Sequence, residues 1–212
     1  MSNRDTSADK KAQILNAASE LLRRQGIQAL SFENVAQEAD LSRQLVRYYF
    51  QDLDALICEL CDFLAKGYRD SLIAGVVTVG QVERLDIFLD FFFDLAADHR
   101  MPANLEVYDS LVAYSVGSKA LKDRMCGQYG VLGQVMVHEL AIAHPELDKA
   151  ACEELSFLFV SMMHSHWSFV ASLGYSRAHS LLTRRAMDRL IASYVSEAEF
   201  NPVMAKPWSR DD

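Results

Sequence analysis

Between Asp9 and Gln25 the apolar side chains Ile14, Ala17, Ala18, Leu21 and Leu22 recur at i, i+3, i+4, i+7 and i+8, the spacing of one face of an α-helix. The same period runs through Leu53, Leu56, Ile57, Leu60, Cys61 and Leu64, and again through Leu155, Leu158, Phe159, Met162, Met163 and His166. Four prolines and nine glycines leave long stretches without a helix breaker, and no train of alternating β-branched residues lies between turn signals. Such a chain buries its stripes by packing helix on helix, which predicts an all-α fold. Half of its 212 residues are apolar, enough for one long domain or two short ones.

Punctuation residues divide the pattern. Gly26 stands where a C′ glycine ends the first helix. Ser31 is a candidate N-cap for a short second helix with Val35, Ala36 and Ala39 inward. Asp40 and Leu41 form a turn, Ser42 caps a third helix running to Tyr49, and Asp52 caps a fourth. After "AGVVTVGQ" a second set of helices is predicted near 81–98, 103–115, 119–143, 150–173 and 177–196. Their boundaries fall at His99 to Pro102, Val116 to Ser118, His144 to Pro145, and Gly174.

The formal charge is −8, which excludes a general nucleic-acid coat protein, since sequence-independent affinity comes from neutralising phosphates with Lys and Arg. Any DNA contact must be local. The opening "MSNRDTSADKKAQ" has no apolar run behind its charges, so neither a secretory signal nor a membrane anchor is expected. "LDIFLDFFFDLAA" is too short for a membrane span and carries Asp86, Asp90 and Asp94, so it reads as a buried helix. Four cysteines without an export signal suggest reduced thiols and a cytoplasmic location.

One stretch runs against the acidic balance. "DLSRQLVRYYF", residues 40–50, crowds arginines and aromatic residues together. With about 100° per residue from Arg43, Gln44 falls at about 100°, Arg47 at about 40° and Tyr48 at about 140°, whereas Leu45, Val46 and Tyr49 fall at about 200°, 300° and 240°. One face is polar and the other packs. A short helix so anchored, following another across a tight turn, is the helix-turn-helix arrangement whose second helix enters the major groove. Arg43 and Arg47 would reach guanine or phosphate, Gln44 adenine, and Tyr48 a thymine methyl or the backbone. An ordinary solvated helix face would show the same charge pattern.

The run "ILNAASELLRRQGIQALSFENVAQEADLSRQLVRYYFQDLDALI" resembles the DNA-binding domain of the tetracycline-repressor (TetR) family of transcriptional regulators. The resemblance covers about residues 10 to 60, and implies a helix-turn-helix head at 8–55 and a helical effector-binding and dimerisation body at 56–200. It implies a homodimer whose two third helices enter the major grooves of a palindromic double-stranded operator, with a small-molecule effector bound in the body. Separately from the resemblance, no G-x-S-x-G, glycine-rich phosphate loop or nucleotide fingerprint stands in the sequence and no nucleophile has an adjacent base, so no enzyme activity and no cofactor are expected. Three positions depart from the family pattern: Asp40 replaces the usual turn glycine, Leu53 a common phosphate-contacting lysine, and Arg47 a frequent tyrosine. Aspartate tolerates a left-handed backbone better than most residues, so the turn is expected to survive.

Residues 1–60 hold seven basic against nine acidic side chains. Base readout and uncharged donors such as Ser42 and Tyr49 must then carry a large share of DNA contact, with Lys10 and Lys11 as flexible phosphate contacts.

In the body, the stripe Leu155 to His166 and the set Met187, Leu190, Ile191 and Tyr194 predict two C-terminal helices that pair with a second copy in a four-helix seam; a long monomer core is the other reading. Phe91, Phe92 and Phe93 point in three directions, so their helix is buried on nearly all sides. Phe92, Tyr108, Tyr114, Met125, Tyr129, His164 and Trp167 are candidates for lining an effector cavity, being large apolar groups with a few polar tips. Plain packing would use the same side chains.

No metal or catalytic site is expected. In "HELAIAH" Ile142 stands where a zinc-protease helix needs its second histidine, and His164 and His166 point about 200° apart. Cys58 and Cys61 form a C-x-x-C inside an amphipathic helix, which predicts a buried Cys61 beside a semi-exposed Cys58. Two competing functions follow from the residues: a helical small-molecule-binding or interaction protein with a weak or lost DNA-binding head, and a hydrolase using His138 and Glu139.

Overall fold

The structure, a computed structural model, describes residues 3–76, 84–96, 105–171, 173–197, 200–204 and 206–210. Every regular element among them is helical: α1 (Asn3–Gln25), α2 (Phe32–Glu38), α3 (Arg43–Tyr49), α4 (Leu53–Val76), α5 (Arg84–Phe92), α6 (Leu105–Ser115), α7 (Lys119–Ala143), α8 (Lys149–His166) and α9 (Arg177–Val195), with a 3₁₀ turn at Ile27–Ala29. The chain divides into two compact units, Met1–Gly67 with Ala103–Met125, and Tyr68–Pro102 with Cys126–Asp212.

In the first unit the stripe of α1 is buried as its spacing requires, Ile14 and Ala18 completely. Val35, Val46, Leu56, Ile57, Leu60 and Cys61 close the same core. Helices α2, α3 and α4 are each started by a side-chain oxygen: Ser31 accepts from the Asn34 amide at 3.1 Å, Ser42 from Leu45 at 3.2 Å, and Asp52 from Ala55 at 2.8 Å. These caps satisfy amide donors that have no partner inside a helix. Gly26 ends α1 at φ 75, the left-handed conformation that glycine adopts without cost.

The turn between α2 and α3 is a Schellman motif closed on an aspartate. Asp40 has φ 52, its amide donates to Gln37 O at 3.2 Å, and the Leu41 amide donates to Ala36 O at 2.9 Å. A β-branched residue is strained there, so Asp40→Val is expected to lose roughly 1–2 kcal/mol of stability while Asp40→Gly keeps or raises it. Denaturant titration of both variants checks this; an undiminished valine variant would mean the turn is not left-handed in solution.

The second unit is built round aromatic rings. Phe91, Phe92 and Phe93 are all buried, and Phe159, fully enclosed, meets Phe88 at 5.5 Å, Phe92 at 5.8 Å and Phe93 at 6.2 Å between ring centroids. The helix predicted over 81–98 is shorter where it is described. α5 ends at Phe92 because Asp94 turns left-handed (φ 53), with its amide on Phe91 O and the Leu95 amide on Asp90 O, a second aspartate-closed Schellman turn. Residues 81–83 and 97–104, including the predicted boundary at His99 to Pro102, lie outside the described residues. The helix predicted over 150–173 also differs from expectation: α8 stops at His166 and a single π-helical turn, Trp167–Ala171, follows. Buried Arg184 ties α9 to α5, donating to Asp86 at 2.8 Å and Asp90 at 2.9 Å, with Asp188 as a third partner.

His166 is buried between hydroxyls, its Nδ1 3.1 Å from Thr183 Oγ1 and its Nε2 3.3 Å from Ser180 Oγ, with the Phe93 ring against it. Burial first, and then His179, hold its pKa below the usual 6.5. The unfolded chain therefore binds this proton more readily, so the contribution of His166 is full above the unfolded value and is lost as pH falls below it toward the lowered folded value. Denaturation at pH 7.5 and 5.5 is expected to show a loss on acidification that shrinks in His166→Gln; an identical loss in the variant would count against it.

Candidate nucleic-acid interface

Sequence pattern and structure agree on the faces of α3. Val46 is fully buried and Leu45 and Tyr49 are half-buried, whereas Arg43, Gln44, Arg47 and Tyr48 are exposed, Tyr48 at 80%. A seven-residue helix presents these four groups because the Schellman turn fixes its direction and the Ser42 cap its first turn. Ser42 Oγ spends an acceptor site on the Leu45 amide, which leaves its O–H to donate. The Tyr48 and Tyr49 rings stand edge to face at 5.3 Å, so Tyr49 steadies its neighbour while keeping its own body against the protein.

The arginines are loosely tethered. Arg43 Nη1 lies 3.7 Å from Glu33, a pair exposed on both sides, and the Arg47 guanidinium lies 5.8 Å from the Phe32 ring centroid. Screened by solvent, such contacts contribute little and yield readily to a phosphate or a guanine.

The other cations are more committed. Lys11 reaches both carboxylate oxygens of Glu59 at 2.8 Å and sits 5.6 Å over the Phe50 ring. A phosphate contact from Lys11 would require that pair to open. Lys10 is exposed and bonds Gln13 at 2.9 Å. Arg23 pairs with Glu20 at 2.7 Å, and Arg24 pairs with Glu38; Glu20 is held below its usual carboxylate range chiefly by the hydrogen bond from Arg23. Sequence reasoning missed these pairs. Only the short-range one, at i,i+3, carried a spacing signal. Leu53 is half-buried at the start of α4 and offers no charge where the family often has a lysine.

The seven side chains singled out for an effector cavity are divided between the two units. Tyr108 and Met125 are buried and Tyr114 half-buried in the first. In the second, the Trp167 indole donates to Phe92 O at 2.8 Å and stacks on the Phe92 ring at 6.0 Å, and Tyr129 hydrogen-bonds His164 at 3.0 Å. Trp167 also stacks on Tyr68.

The rejected chemistry has a structural description too. Glu139 is buried and paired with Arg84 at 2.6 Å. Among the described residues no group of three His, Cys, Asp or Glu side chains is placed to hold a metal ion. Cys58 is buried, not semi-exposed as the helix stripe implies, and Arg124 donates to its carbonyl at 3.2 Å; burial first, and then Asp54, push its thiol pKa up.

Residues 14–60 match the sequence profile of the bacterial regulatory proteins, tetR family. No curated protein matches the chain. Among solved structures, a TetR transcription regulator from Haloarcula marismortui superposes with a TM-score of 0.75 at 17% identity, covering 88% of this chain and 98% of its own. A putative transcriptional regulator from Saccharomonospora viridis, in complex with choline, gives 0.72 at 17% identity with coverage of 87% and 96%. One from Pseudomonas aeruginosa gives 0.69 at 21% identity with coverage of 89% and 93%. Residues 14–60 of this chain thus carry the sequence pattern of the bacterial regulatory proteins of the tetR family, and nearly the whole chain shares its fold with the solved TetR transcription regulator from Haloarcula marismortui.

Proposed function

We propose that the chain is a cytoplasmic, dimeric DNA-binding transcriptional regulator without catalytic activity, a repressor that a small-molecule effector releases from a palindromic operator. The observation that carries the proposal is the outward set Arg43, Gln44, Arg47 and Tyr48 on a capped helix clamped by Val46, supported by the family match over the head. Residues 8–55 form the DNA-binding domain and 56–200 the effector and dimerisation domain. Lys10, Ser42 and Tyr49 add backbone contacts, and Lys11 joins them if Glu59 releases it.

Burial inside the protomer bears on which side chains form the dimer seam. Leu155, Phe159, Met163, His166, Met187 and Ile191 are already covered within the chain, while Phe157, Leu158, Phe169, Leu173, Leu181 and Leu182 remain exposed on or beside α8 and α9. The exposed set supports a seam on the outer faces of the two C-terminal helices, since large apolar patches mark interaction sites. For the effector, the Phe92–Trp167 stack and the Tyr129–His164 pair supply apolar area and polar tips. No helix among the described residues is long and apolar enough to cross a membrane.

Selection of bound sequences from random DNA tests the head directly. A regulator is expected to enrich an inverted repeat with half-sites about one helical turn apart and to lose affinity steeply with salt. Recovery of no motif, with flat and undetectable binding at low salt, would favour the alternative of a helical small-molecule-binding protein, which the acidic head and Leu53 motivate.

A further inference from the structure

The two arginines on the exposed face of α3 are met by two consecutive residues of α2. Arg43 Nη1 stands 3.7 Å from Glu33 Oε2, and the Arg47 guanidinium carbon stands 5.8 Å from the Phe32 ring centroid. The backbone that carries both neighbours is fixed on either side. Ser31 Oγ accepts from the Asn34 amide at 3.1 Å, and the Asn34 side chain donates to Ala29 O at 2.7 Å. Phe32 is half-buried and Glu33 exposed, so a held aromatic edge and a solvated carboxylate flank the arginine tips.

A carboxylate beside a DNA-reading arginine works against general affinity, because every phosphate repels it. It does not work against base readout. The guanidinium is a planar fork with five N–H donors. With Nη1 turned to Glu33, the edge formed by Nε and Nη2 still offers two parallel donors, the pattern that guanine O6 and N7 accept. An arginine so held presents one edge at one angle, whereas an untethered one swings to whichever phosphate is nearest. The Phe32 ring restrains Arg47 in the same sense, by attraction between cation and ring face.

We propose that Glu33 and Phe32 are positioning residues of the DNA-reading surface: Glu33 aims Arg43 at a base edge and withholds it from phosphate, and Phe32 aims Arg47. The pair gives up affinity for any duplex in exchange for discrimination between sequences. The inference rests on the regulator reading and adds to it two residues of α2 that themselves contact no base.

The test measures binding of the purified full chain to two duplexes of equal length, the sequence enriched from random DNA and a scrambled version of it, by fluorescence anisotropy over a series of salt concentrations. Glu33→Gln is expected to bind the scrambled duplex about three- to tenfold more tightly, with a salt slope steeper by about one, since an arginine freed for phosphate releases one more counterion. On the enriched duplex lost aim offsets that gain, so the ratio of the two affinities falls at least about threefold. Glu33→Asp keeps the charge and loses the reach of one methylene; it is expected to keep the wild-type slope and to lose part of the ratio. Phe32→Leu, which keeps an apolar body and removes the ring face, is expected to weaken binding to the enriched duplex about two- to fivefold, the worth of an exposed cation–π contact, and Phe32→Tyr to restore it. Should Phe32→Leu not fold, the Glu33 variants decide alone. If Glu33→Gln shifts both duplexes by the same factor, Glu33 is a bare charge and the proposal falls; if it shifts neither, the pair is an ordinary surface contact and the proposal falls too. In both cases wild-type binding to the enriched duplex leaves the regulator reading standing. Binding to neither duplex by wild type and variants alike overturns that reading and this inference together.

Discussion

Phe159→Ala is expected to destabilise the protein by about 3–5 kcal/mol, the usual loss when a fully buried aromatic ring is truncated and its cavity only partly closes. The magnitude follows from enclosure: Phe159 has no exposed surface and meets three rings, those of Phe88, Phe92 and Phe93. Edge-to-face geometry with Phe92 and Phe93 adds to the area term. Because Trp167 stacks on Phe92, its fluorescence reports the same cluster, and denaturant midpoints of wild type and variant give the difference. Phe159→Leu retains most of the volume and should lose less. A loss below about 1 kcal/mol for the alanine variant, within the range of ordinary surface substitutions and their scatter, would show that the cluster relaxes into the space and does not organise the body.

Arg43→Ala and Arg47→Ala are each expected to weaken binding to the selected operator by roughly 1–3 kcal/mol without changing the unfolding transition. The folded chain loses little in either case, because the Arg43–Glu33 pair is solvent-exposed and the exposed Arg47 guanidinium stands 5.8 Å from the Phe32 ring centroid. Salt dependence separates the roles. An arginine on a phosphate lowers the slope of log affinity against log salt by about one when removed, whereas one on guanine relaxes specificity at a single base pair. Unchanged operator affinity in both variants would place the recognition surface elsewhere and remove the main support for the proposed function.

Much of the head was legible because its determinants are local. The i, i+4 stripe of α1, the caps at Ser31, Ser42 and Asp52, and the division of α3 into packed and exposed faces each depend on residues within a turn or two of one another. Even the left-handed turn at Asp40 was foreseeable, since few side chains tolerate that conformation. The same logic ran past the end of α5, where Asp94 closes the helix at a position without glycine or proline to signal it.

What the chain alone determined, then, was helical content, helix starts and the outward face of α3. What only tertiary structure decided was which charged groups are spent on one another. Lys11 meets Glu59 across 48 residues and Arg84 meets Glu139 across 55, while Arg124 of α7 donates to the Cys58 carbonyl of α4 across 66. Periodicity and capping are properties of neighbours along the backbone. Pairing and burial are properties of surfaces that meet only after helices have packed, and a long flexible side chain has many candidate partners until packing selects one.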